Sequence, residues 1–141
     1  MVTVFRNELQ VFACSILSGV VAIMTAGPAQ AEPPAHQVTY TVTAATPVTA
    51  DIRFRDVDPP TWAAYSHNPY VFSPKVEVEV GPDRPWVLHT TLVDPNRWAM
   101  VSATSGRIPG DPAFRCELAV DGVIVATGDG PRGALCSLRH W

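Results

Sequence analysis

The chain's 14 prolines are spread along its length rather than gathered into one tract, and beyond Ala31 no stretch of ten residues free of proline and glycine carries an apolar stripe at helical spacing. Proline removes a backbone donor and clashes with the preceding helical turn, so a chain punctuated this way is confined to short elements and turns. Between the prolines the apolar residues recur with period two, the signature of strands with one wet face. Val38, Tyr40 and Val42 alternate with threonines, and Ile52 and Phe54 alternate with Asp51, Arg53 and Arg55. Lys75-Val76-Glu77-Val78-Glu79-Val80 is the cleanest example. Two further strands, Trp86 to Val93 and Trp98 to Thr104, are separated by Asp94-Pro95-Asn96. Phe114 to Val120 and Val123 to Thr127 flank Asp121-Gly122, a dipeptide suited to the positive φ angles of a type I′ hairpin turn, and Ala134 to Arg139 closes the series. Eight short strands joined by turn clusters predict an all-β fold, a two-sheet antiparallel β-sandwich with Greek-key character.

The N-terminus reads as an export signal. Arg6 and the amino terminus precede a nearly uncharged apolar run from Val11 to Gly27, and Ala29-Gln30-Ala31 places small residues where a signal peptidase reads them. Cleavage after Ala31 is expected, with residues 1–31 as signal peptide, 32–36 as a flexible leader containing Pro33 and Pro34, and 37–141 as the folded domain. At 17 residues the run also stands at the lower edge of what spans a bilayer, so an uncleaved inner-membrane anchor is the alternative. Cys14 lies too early in the run to serve as a lipoprotein cysteine.

Cys116 and Cys136 remain after that cleavage. An even pair in an exported chain predicts a disulfide, because the oxidising side of a membrane permits one. Alternation places both sulfurs on the core side of their strands. In a simple three-stranded meander they would sit two strands apart, about 9.6 Å, whereas a disulfide needs Cα atoms within roughly 7 Å. The last strand is therefore expected to leave the hairpin's sheet or to bend sharply at 128–133.

Charge and motif content exclude several functions. A net charge of -3 and the lack of a basic run give no footprint for nucleic acid. His36, His67, His89 and His140 fall in no metal-ligand spacing, and Asp56 and Asp58 lack the further oxygen ligands of a calcium loop. The chain contains no nucleophile elbow, phosphate loop or Cys-x-x-Cys pair, and no nucleophile with an identifiable base, so neither enzyme activity nor a cofactor is expected.

Val57 to Pro74 breaks the alternation. Pro59, Pro60, Pro69 and Pro74 are interleaved with Trp62, Tyr65, Tyr70 and Phe72. Two readings stand: the rings cover one open end of the sandwich, or, with the neighbouring Trp86, they form a contact surface for a partner protein or an apolar ligand.

The ordered set Val38-Thr39-Tyr40-Thr41-Val42, Ala50 to Asp56, Pro85-Trp86, Cys116-Glu117-Leu118-Ala119-Val120-Asp121-Gly122 and Cys136 resembles the extracytoplasmic domain of the MmpS (mycobacterial membrane protein small) family over residues 37–139. The resemblance implies a bridged β-sandwich in the cell envelope, acting as accessory to an MmpL transporter of the resistance-nodulation-division type that exports siderophores or lipids, with no catalytic residues. The alternative is a free secreted β-sandwich that binds a ligand or host protein through its loops.

Overall fold

Hydrogen-bonded strands form at the eight places the alternation marks. The computed structural model describes residues 26–140. The export signal or anchor read at 1–31 falls for the most part outside them, and the compact unit they form begins at Glu32. The strands are β1 (His36–Ala44), β2 (Val48–Phe54), β3 (Lys75–Val80), β4 (Trp86–Leu92), β5 (Met100–Thr104), β6 (Phe114–Val120), β7 (Val123–Gly130) and β8 (Gly133–Ser137). Two short helices interrupt them, α1 (Trp62–His67) and α2 (Pro95–Trp98).

All pairings are antiparallel and divide the strands into two four-stranded sheets, ordered β4-β1-β6-β7 and β3-β2-β5-β8. The chain is thus a β-sandwich. In β1 the inward residues Val38, Tyr40, Val42 and Ala44 are buried, and register sets Val42 beside Cys116 of β6. They meet Ala50, Ile52 and Phe54 of β2 and Val101 and Ala103 of β5 in one core. Edge strand β3 keeps Lys75, Glu77 and Glu79 outward, which discourages pairing with another chain.

Cys116 and Cys136 form a disulfide with Cα atoms 6.1 Å apart. β8 has left the hairpin's sheet, so the bridge joins the centre of β6 in one sheet to β8 in the other. The crossing happens where β7 meets β8, and it needs bare backbone. A Cβ on Gly128 would run into the Leu135 carbonyl oxygen, and one on Gly130 into that of Gly133. At the other end of β7, Asp121 and Gly122 both have positive φ, 51° and 82°, as a type I′ turn requires.

β1 begins at His36, inside the stretch 32–36 expected as a leader. His36 opens β1 opposite Leu92, and its Nδ1 lies 2.7 Å from Asp121 Oδ2, while Asp121 Oδ1 accepts the Gln37 N–H. The turn aspartate ties down the strand end, which the bare sequence read as loose.

Candidate functional site at the α1 and α2 end

Arg55 is the residue that organises one end of the sandwich. Alternation placed it on a wet face, but β2 ends at Phe54, and Arg55 turns inward until it is 0% exposed. Its backbone is held on both sides: the N–H donates to Met100 O at 3.0 Å, and its carbonyl accepts the Tyr40 hydroxyl at 2.7 Å. Burial pushes the Tyr40 phenol well above its ordinary value, partly opposed by the hydrogen bond from Met100 N. Tyr40 therefore remains a neutral donor.

Burying a guanidinium is costly unless something replaces water. Here Arg55 Nη2 donates to Ser73 Oγ at 3.2 Å, and its Cζ lies 4.4 Å from the centre of the Tyr65 ring and 5.6 Å from that of Trp98. Ring faces carry negative potential, and a desolvated cation–π contact of this kind stabilises by about 2 kcal/mol.

Two helices deliver those rings. Thr61 caps α1 by accepting the Ala64 N–H at 3.0 Å, which sets Trp62 and Tyr65 one turn apart on one face. In α2, Asp94 caps by accepting the Arg97 N–H, and Pro95 occupies a first-turn position where its missing N–H costs nothing. Asp58 links the helix-bearing segment to α2: its carboxylate accepts the N–H groups of Val93 and Asp94 at 2.7 and 2.9 Å. The capping pair Asp94-Pro95 was the signal for α2, and the sequence reading placed Trp98 in a strand instead. Trp98 belongs to the helix and is buried.

The result is a stack. Trp62 lies 6.1 Å from Trp98 with the planes at 22°, Tyr65 meets Trp98 edge-on at 5.5 Å, and Trp62 and Tyr65 are 5.2 Å apart. Arg139, just beyond β8, covers Trp62 with Cζ 3.9 Å from the ring centre, and Arg97 approaches Trp98 at 5.1 Å. Beside the stack lies an open cleft of about 440 Å³ lined by Trp62, Asp94, Asn96, Arg97 and Arg139. Trp62 stays 39% exposed there.

The other aromatic candidates are placed differently. Tyr70 is 71% exposed, with Arg53 Cζ 5.1 Å from its ring centre, on a run of turns that also carries the half-buried Phe72. Trp86 is half-buried with its ring 5.4 Å from Phe54, so it packs on the core beside β2. The structure gathers Trp62 and Tyr65, and adds Trp98, Arg55, Arg97 and Arg139, none of which the aromatic content of 57–74 pointed to.

His89 Nδ1 lies 3.0 Å from Thr39 Oγ1, while His67 and His140 are exposed. Among the described residues no group of three or more His, Cys, Asp or Glu side chains is arranged to hold a metal. The arrangement offers stacked rings and guanidinium groups at one end of the sandwich.

Comparison with known proteins corrects the resemblance to the MmpS family. The model of the Rv2576c beta-sandwich domain family matches residues 40–136. Two relatives, uncharacterized protein Rv2576c of Mycobacterium tuberculosis strain H37Rv and uncharacterized protein Mb2606c of Mycobacterium bovis, are each 39% identical over 133 residues, which cover 94% of this chain and 83% of theirs. Alternating strands, an Asp-Gly hairpin and two inward cysteines are what a small bridged sandwich needs, whatever its lineage, so they carry a fold and not a family. With the match running from β1 to the second cysteine, the chain belongs to the Rv2576c beta-sandwich domain family.

Proposed function

We propose that the chain is an exported, non-catalytic binding domain of the cell envelope or its surroundings, which recognises a ligand or partner protein through the α1 and α2 end. The observation that carries this reading is the division of labour within the aromatic cluster. Tyr65 and Trp98 are committed to covering Arg55, while Trp62, in contact with both, keeps more than a third of its surface in water beside a cleft. A large ring held rigid by its neighbours and left accessible loses little freedom on binding. Export is supported by the small-residue site at Ala29-Gln30-Ala31 and by a disulfide in the core.

Affinity purification from cross-linked native envelopes, with mass spectrometry of what is recovered, tests the reading. The unaltered chain is expected to retain a partner or cargo that Trp62→Ala loses, with a thermal midpoint changed by only a few degrees. Equal recovery by both proteins would sink the proposal. N-terminal sequencing of protein from the culture medium is expected to begin at Glu32, and an intact chain found only in membranes would overturn free secretion in favour of the anchored form.

A further inference from the structure

We infer that the α1 and α2 end of the sandwich is a lipid-facing surface, which seats the domain on a bilayer by inserting separate apolar prongs between headgroups. The inference goes beyond the recognition reading above and rests on other residues. Antiparallel pairing brings the starts of β1, β3, β5 and β7 and the closes of β2, β4, β6 and β8 to this one end. Of the eleven large apolar side chains exposed among the described residues, eight lie on segments at that end, and Val87, Ile108 and Leu135 lie elsewhere. The hairpin tip is the first prong. Val123, Ile124 and Val125 follow the Asp121-Gly122 turn and are 63, 55 and 42% exposed. A flat strand would turn every second residue inward. The register shift opposite Leu118 and Ala119 leaves Val125 as an extra residue, and β7 stands at the sheet edge, so all three face water. Tyr70 and Val71, on the turns before β3, form the second prong. Val57 and Val93 form the third, on segments clasped by Asp58, whose carboxylate accepts the Val93 N–H.

Prongs on separate segments fit a bilayer better than a protein. A protein partner needs one continuous apolar core inside a polar rim, whereas headgroups yield around each prong independently. The Tyr70 ring can enter the acyl boundary while its hydroxyl stays among the headgroups. Charge at this end is balanced, with Arg53, Lys75, Arg97 and Arg139 set against Asp56, Asp58, Asp94 and Asp121, so apolar insertion and not attraction to anionic lipid drives the association. The chain also enters the fold here. Residues 28–35 separate the apolar run 11–27 from His36, a reach of about 28 Å when fully extended. In the anchored form that tether would keep this end, where β1 starts, within reach of the membrane.

The test takes residues 32–141, which hold the whole core and the disulfide, and floats them with phosphatidylcholine vesicles with and without phosphatidylglycerol. NMR with nitroxide-labelled phosphatidylcholine locates the contact. Saturable flotation with both vesicle types, little changed by salt, is expected, with amide broadening at 57, 70–71, 93 and 123–125 and none at 106–110. Val123→Thr with Ile124→Thr keeps the β-branched shape and should weaken partitioning by roughly tenfold or more, and Tyr70→Ser with Val71→Ser should do likewise. Ile108→Thr, at the opposite end, should change nothing. No flotation, broadening centred on the opposite end, or equal partitioning of the prong and Ile108 variants would overturn the inference. Binding confined to phosphatidylglycerol vesicles and abolished by salt would also overturn it, in favour of charge attraction. So would a concentration-dependent dimer, broken by the hairpin variant in the absence of flotation, which makes the prong a contact between two copies. Capture by Trp62 is scored apart, since these variants leave that ring in place. Failed flotation with the capture difference retained removes the membrane seat and leaves the recognition surface, and flotation without a capture difference does the reverse.

Discussion

Asp121 performs two tasks at one position. Its backbone adopts the positive φ of the hairpin turn, and its carboxylate accepts the Gln37 N–H and meets His36 Nδ1. The bond to His36, then that to Gln37, holds its carboxyl below the usual carboxylate value. A carboxyl lowered in the folded state stabilises the fold at any pH above its ordinary value near 4 and gives that stability up as pH falls through the lowered folded value. Asp121→Asn keeps a residue that tolerates positive φ and removes the titration. The variant's thermal midpoint is therefore expected to fall less than the unaltered protein's on acidification through that window, measured by circular dichroism. Identical acid limbs would show that the contact contributes nothing. Tyr65 and Trp62 separate in the same residue-by-residue way. Tyr65→Ala uncovers the buried Arg55 guanidinium and is expected to cost about 2–3 kcal/mol in urea unfolding, against about 1 kcal/mol or less for the more exposed Trp62→Ala. Equal costs would make both rings plugs of the sandwich end.

The strands were legible and the helices were not, for a reason of length. Period two declares itself within five or six residues, and Asp121-Gly122 marks its turn chemically, so the β6 and β7 hairpin could be placed from sequence. A six-residue α1 and a four-residue α2 never complete the two turns over which a helical stripe becomes visible. Their caps were the only local signs. Arg55 shows the converse failure: alternation continues on paper one residue past Phe54, but the chain has left the sheet and the face assignment no longer applies. Trp62 and Tyr65 drew notice through aromatic content, whereas Trp98, Arg97 and Arg139 reach the cluster from distant segments that local pattern does not connect. At the β7 and β8 seam the glycines were also visible without their purpose. Gly128→Ala would press a methyl into the Leu135 carbonyl and against Cys116 Sγ, so a loss of about 1–3 kcal/mol is expected by chemical denaturation. Thr127→Ala, exposed on the same strand, should change stability by about 0.5 kcal/mol or less. A Gly128→Ala variant as stable as its parent would mean that the two strands part easily.

Across the whole molecule, the two sheets are joined by crossing loops, by a shared core and by one covalent bond. The spacing of strands in a meander rules out a bridge two places apart and leaves either a bend at 128–133 or a last strand in the other sheet; the fold takes the second course, with 6.1 Å between the cysteine Cα atoms. Lineage was not legible in the same features, because any small sandwich facing the same physical demands carries them. A domain of this size buries only about two thirds of its unfolded surface, so its margin is narrow and a single cross-link matters. With the cysteines 20 positions apart in sequence, the chain-entropy account assigns the bridge about 3 kcal/mol through restriction of the unfolded chain. Cys116→Ala with Cys136→Ala, the smallest change that leaves no buried thiol, is expected to lower the thermal midpoint by roughly 10–15 °C while retaining the β-sheet circular dichroism spectrum, since the core residues of both sheets remain. Adding a reductant should destabilise the unaltered chain and leave the double variant unchanged, which separates the cross-link from the packing of its sulfurs. If the double variant matches the parent under oxidising conditions, the sandwich holds its sheets together by core packing alone, and the bridge has another purpose.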